Sequence, residues 1–249
     1  MEAVIAILVG AAGVAWWKRT RTPRPDFEDY LDDDARVVLH VAEHEQRSRG
    51  HATLGSLHVL YGLLQDETIA GAVRAVGGDV AALEDRVLAA LDVPSDHQAV
   101  ITADVRTLLL RAAEGAYQQE RETTVTDLWA YLLRSEAAAL LADGGLDALG
   151  VLHVLVHATA LPALADGAGE VHVVIRNDDY TTRELVIEVL VGVFALTEES
   201  AQEKTLAAHT GGKAIVARLP MSMANERIRA ARELARAQRF PLWIAAEPV

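Results

Sequence analysis

Between Leu31 and Ala42 the apolar residues Leu31, Ala35, Val38, Leu39 and Ala42 fall on one helical stripe. Asp32, Asp33 and Asp34 stand in its first turn, where carboxylates suit the positive end of a helix dipole. Gly50 ends the run. Thr53-Leu54-Gly55-Ser56 leads into the apolar stretch LHVLYGLL, and the pattern predicts further helices over Ile69–Val76 and Asp79–Leu91. The same pattern then returns. Arg36 matches Arg106, Leu39 matches Leu109, Ala42 matches Ala112, Thr53 matches Thr123, Tyr61 matches Tyr131 and Leu63 matches Leu133, each 70 residues on. A fixed spacing of this kind signals a duplicated helical unit.

The period changes at Val171. Val171, Val173 and Ile175 alternate with His172, Val174 and Arg176, which predicts a strand with one buried face. Asn177-Asp178-Asp179 then favours a turn. Thr181 or Thr182 is placed to cap the next helix, with Glu184 in its first turn. Leu185, Val186, Val189, Leu190 and Val193 continue it at helical spacing. A second helix, Glu198–Ala208, runs into His209-Thr210-Gly211-Gly212-Lys213, where paired glycines stop it. A strand over Ala214–Leu219, a long basic amphipathic helix over Met223–Arg239 and a last strand over Phe240–Ile244 complete the order β-α-α-β-α-β.

At the other end, Ala3–Trp17 carries no charge and finishes in paired tryptophans, followed by Lys18, Arg19, Arg21 and Arg24. Fifteen residues is short against the ~20 of a full span. Interfacial tryptophans with cations just beyond them nonetheless predict a single-pass transmembrane helix, with everything after Lys18 on the cytoplasmic side. The expected architecture is therefore multidomain. Residues 1–25 form a membrane anchor and basic linker, 26–158 an all-α duplicated repeat domain, 159–169 a flexible linker around Asp166-Gly167-Ala168-Gly169, and 170–249 a small α+β domain.

Composition removes several functions. A formal net charge of −13 opposes nucleic-acid binding. The absence of cysteine removes disulfides, thiol catalysis and cysteine-ligated zinc. His40 and His44 share a helix face, but no HExxH pattern accompanies them, so no metal is expected. Gly211-Gly212-Lys213 lacks the spacing and the following Ser or Thr of a phosphate-binding loop, so no ATPase module is read. No nucleophile–base pair stands out and no cofactor is called for; the chain reads as a protein that is not an enzyme.

Three separated motifs, NDDYT at the first elbow, AAHTGGKA at the end of the second helix and FPLWI near the C-terminus, occur in an order and spacing that resemble the ClpS adaptor family over about residues 170–249. The segment LDDDARVVLHVAEHEQRSRGHATLGSLHVLYGLL, with its duplicate, resembles the Clp N-terminal repeat domain over about residues 27–158. In that family the histidine of LHVLYGLL sits at a helix start. The adaptor resemblance implies a non-enzymatic protein that binds the free N-terminus of a protein bearing a bulky hydrophobic first residue (an N-degron) and hands it to a Clp-family AAA+ unfoldase of ClpA or ClpC type. It assigns Asn177, Asp178 and His209 to the amino group. It gives Thr181, Arg183, Val186, Thr205, Ala208 and Leu242 to the side-chain pocket. An acidic and a basic docking position fall on Ser222 and Arg227, so the acidic one is missing. An adaptor at the inner (cytoplasmic) membrane is the resulting expectation. The alternative is a scaffold or inhibitor in which the repeat domain occupies the adaptor's docking face.

Overall fold

The computed structural model describes residues 30–92, 101–164 and 167–249. The expected anchor over Ala3–Trp17, its basic linker, Phe27 and Asp166 lie outside the described residues. Among the described residues no single helix is long and apolar enough to cross a membrane.

The first half of the chain is helical: α1 Asp33–Ser48, α2 Ser56–Leu64, α3 Glu67–Ala75, α4 Val80–Leu91, α5 Ala103–Gln118, α6 Val125–Leu132, α7 Ala137–Asp143 and α8 Ala148–His157. Asp32 caps α1, its Oδ1 accepting from the Ala35 amide at 2.7 Å, and Asp33 and Asp34 occupy the first turn. α1 and α5 begin 70 residues apart, the offset of the sequence repeat. The two repeats are interlocked. Leu31 bridges to Thr123 and Leu54 to Ile101, both in parallel, and the Asp32 and Thr102 amides donate to the Thr123 and Leu54 carbonyls at 3.0 and 3.1 Å. Each repeat therefore satisfies backbone groups at the head of the other.

The shared core is built on Leu60, Leu63, Leu64, Leu128, Trp129 and Leu132, all fully buried. A Cβ at Gly62 would stand 2.4 Å from the Val38 carbonyl oxygen, so α1 and α2 cross with backbone against backbone. His58 supports the start of α2 as the resemblance implied: the Gly55 amide donates to its Nδ1 at 3.0 Å, and its Nε2 pairs with His51 Nδ1 at 2.9 Å.

Burial holds the imidazoles of His58 and His153 neutral, each lowered to about 4. With the folded value below the unfolded one, stability is complete above pH ~6.5 and is lost as pH falls toward 4. Each residue is expected to remove about 1 kcal/mol at pH 5.5. Urea denaturation at pH 7.5 and 5.5 measures the loss, which should shrink in a His153→Asn variant.

The second half contains β1 Glu170–Arg176, α9 Arg183–Gly192, α10 Glu198–Gly211, β2 Lys213–Pro220, α11 Met221–Ala237 and β3 Ile244–Pro248. The sheet is antiparallel in the order β2-β1-β3. Val171, Val173 and Ile175 pack into a core with Leu185, Val189, Ile228 and Ile244. The opposite face is not simply solvated, as a half-buried strand would be. Val174 is also buried there, with Trp243 and Ala245 beneath Leu161, so part of the expected linker lies on the sheet.

The last strand starts four residues later than the pattern predicts, at Ile244 rather than Phe240. Arg239 turns the chain with φ 59°, and Pro241 has no amide to give to a ladder. The apolar run before Ile244 is buried packing, with Leu242 and Trp243 inside. Both rim strands carry a cation on a main-chain oxygen. Lys204 Nζ donates to the Ile215 carbonyl at 2.9 Å, and Arg232 donates twice to the Ile244 carbonyl at 3.0 and 2.8 Å.

Candidate functional site

The site forms where β1 ends. The Arg176 amide donates to the Trp243 carbonyl at 3.2 Å and the Asn177 amide to the Gly212 carbonyl at 2.8 Å. These bonds tie the elbow to the chain before β3 and to the end of α10. Gly212 closes α10 with φ 79°, a left-handed turn that a side chain disfavours. It brings His209, in the last turn of that helix, to the elbow. His209 Nδ1 lies 3.4 Å from Asn177 Oδ1, and the imidazole is exposed. With its proton on Nδ1 shared with Asn177, Nε2 is left as an acceptor.

Asp178 is placed differently from the expectation that it joins these two at the amino group. Its Oδ1 accepts from the Tyr180 and Thr181 amides at 2.8 and 2.5 Å, a local turn typical of Asp. Its side chain is 1% exposed, with Oδ2 3.8 Å from His157 Nε2. Burial pushes the carboxyl up, opposed chiefly by the Thr181 amide. Asp178 thus shapes the elbow from inside.

Of the two threonines able to cap α9, Thr182 does so, accepting from the Leu185 amide at 3.4 Å. Thr181 is half-buried beside Asp178. Ala208 and Leu242 are buried in the α+β core, with Val186 packed against it. Thr205 is buried too, its hydroxyl turned to its own helix and donating to the Ala201 carbonyl at 2.7 Å. Arg183 is exposed at the first position of α9. Ser222 is exposed at the start of α11, and Arg227 Nη1 donates to the Phe194 carbonyl at 3.1 Å.

The polar contacts joining the two halves lie elsewhere. Asp147 pairs with both terminal nitrogens of Arg236 at 3.0 and 3.2 Å. Gln119 Nε2 donates to the Asp179 carbonyl at 2.8 Å, Tyr180 Oη to Asp127 Oδ1 at 3.0 Å, and His157 Nε2 meets the Pro241 carbonyl at 3.0 Å. The sequence offers no sign of Gln119 or His157 at this surface, because Gln119 meets the Asp179 carbonyl across 60 positions of chain and His157 the Pro241 carbonyl across 84. Asp127 forms a capping pair with Thr124 at the start of α6.

A family model described as "ATP-dependent Clp protease adaptor protein ClpS" matches residues 168–245. One described as "Clp repeat (R) N-terminal domain" matches residues 30–147. The adaptor half is similar to "ATP-dependent Clp protease adapter protein ClpS 1" of Rhodopseudomonas palustris, 38% identical over 76 residues, which is 30% of this chain and 74% of that protein. It is also similar to "ATP-dependent Clp protease adapter protein ClpS" of Desulforapulum autotrophicum, 40% identical over 28% of this chain and 67% of that one. A solved structure, that of Agrobacterium tumefaciens ClpS2 bound to L-phenylalaninamide, aligns at 34% identity over 32% of this chain and 96% of its own, with a TM-score of 0.32. The chain belongs to the ClpS adaptor family, whose members are adaptors rather than enzymes, and it carries a Clp repeat domain ahead of the adaptor domain.

Proposed function

We propose that this protein recognises substrates by a free N-terminal amino group with a bulky hydrophobic first residue and delivers them to a Clp-family AAA+ unfoldase. The observation that carries the reading is the meeting of Asn177 and His209 at the end of β1, 3.4 Å apart, in a domain whose apolar core contains Ala208 and Leu242. An α-ammonium presents three donors and needs acceptors. Asn177 Oδ1 and a neutral His209 Nε2 supply two from fixed backbone positions, while the first side chain enters toward Val186, Ala208 and Leu242. Membership of the ClpS family supports the delivery step.

In the other reading, the repeat domain covers the docking face and blocks delivery. The contacts between the halves do not favour it. Among the described residues they run through Asp147, Gln119, Asp127 and His157, away from exposed Ser222 and from Arg227, which bonds within its own domain.

The reading includes an anchor in the inner membrane through residues 3–17, both domains facing the cytoplasm. It rests on the uncharged Ala3–Trp17 stretch and the cations after it. Fractionation of cells tests the anchor: full-length protein recovered without detergent would remove it. Fluorescence anisotropy on the whole chain tests recognition, with a labelled peptide beginning in Leu or Phe and its N-acetylated twin. Equal affinity for the two would end the proposal.

A further inference from the structure

We infer that the repeat domain is a positioning module for the amino-group site, holding the elbow from behind through Gln119, Asp127 and His157. The inference rests on the reading above and names which residues outside the adaptor domain serve that site.

Four consecutive residues face two ways. Asn177 points its amide oxygen toward His209. The next three are tied to the repeat domain. Asp178 sets Oδ2 near His157 Nε2, with both side chains almost wholly enclosed, 1% and 4% exposed. The same Nε2 meets the Pro241 carbonyl, so His157 lies between the elbow and the chain before β3 and is bonded to the latter. Asp179 leaves its side chain in solvent and gives its carbonyl to Gln119. Tyr180 reaches Asp127 and packs against the repeat-domain core.

Asp127 is itself a fixed post. Arg121 grips both its oxygens at 2.6 and 2.9 Å, and the Thr124 amide and hydroxyl donate to Oδ2 at 2.8 and 3.0 Å. Apolar packing, through Tyr180, does only part of this work. A cleft of about 620 Å³ opens beside Tyr180 and Thr182, walled by Tyr131, Arg134 and Phe240. With space there, the position of the elbow depends on a few polar ties. Fixing residues 178–180 leaves Asn177 little freedom, since only two soft dihedrals separate it from Asp178. A ligand then binds acceptors already in place and does not have to order them.

The test uses the full-length chain, isotopically labelled for NMR, with Tyr180→Phe, His157→Ala, His157→Gln and Gln119→Ala. Gln119 lies at the exposed edge of the contact and serves as the variant whose fold is least at risk. The side-chain amide of Asn177 and the imidazole of His209 should shift or broaden in Tyr180→Phe, His157→Ala and Gln119→Ala. His157→Gln, which keeps a donor for the Pro241 carbonyl, should restore them. Affinity for a free-amine Leu peptide should fall roughly three- to tenfold per lost tie, with the acetylated twin unchanged. Asn177 and His209 resonances that superimpose on wild type in Gln119→Ala and Tyr180→Phe would overturn the positioning role. A wild-type chain that binds both peptides equally defeats instead the proposed function, and the resonances still decide the positioning.

Discussion

His209→Ala is expected to weaken binding of a peptide with a free N-terminal Leu or Phe about ten- to hundredfold, and acetylating the peptide to do at least as much. The imidazole is one of the two acceptors that the proposed function assigns to the amino group. Removing it leaves an ammonium donor facing nothing, a loss of about 1.5–3 kcal/mol. Acetylation removes the charge and two donor hydrogens together. Asp178 separates direct from indirect contact. Asp178→Asn keeps an oxygen for the Tyr180 and Thr181 amides and should cost less than His209→Ala, whereas Asp178→Ala opens the turn and should cost as much. If Asp178→Asn proves the most damaging of the three, the carboxylate turns outward when ligand binds. Thr205→Met, which enlarges a residue assigned to the side-chain pocket, should reorder the preferred first residues and keep the requirement for a free amine.

Asp127→Ala is expected to lower folding stability by about 3 kcal/mol, the largest effect of any single polar substitution here. The carboxylate is 2% exposed and stands against an Arg121 side chain only 28% exposed, and Asp127 holds that guanidinium firmly protonated. Truncation strands a partly buried cation, the Thr124 amide and the Tyr180 hydroxyl at once, and breaking one side of a buried pair is far costlier than the pair's net worth. Urea denaturation followed by circular dichroism reads the change. A loss under about 1 kcal/mol would mean that water replaces the carboxylate at every partner. Asp127→Asn should fall between, keeping an acceptor for Tyr180 while losing the charge.

Much of this architecture is written locally. The 70-residue spacing foretells α1 and α5, because an amphipathic stripe and an acidic first turn are read within a few residues. The elbow is equally plain: alternation through Ile175, three turn-forming residues, then a Thr cap. What the pattern could not convey is long-range. The strand after α11 slides to Ile244 because apolar residues at Phe240–Trp243 read alike whether they lie in a ladder or simply pack, and only Pro241 hints at the difference. Val174 looks solvent-facing until Leu161 is laid over it. Asn177 and His209 were assigned from motifs and the fold brings them together. Asp178 carries the same motif yet turns inward, since the orientation of an Asx side chain depends on which amides and which neighbouring domain surround it.

A three-stranded sheet has two rims, and an uncovered rim is a template onto which another chain can add a strand. In this protein each rim strand has a carbonyl already claimed by a cation, Lys204 on β2 and Arg232 on β3. Charged cross-strand pairs, Lys213 with Glu247 and Arg218 with Glu170, add polar side chains along the sheet. Copies of the chain crowded side by side would meet guarded edges, so the domain can be held at high local density without polymerising through its sheet.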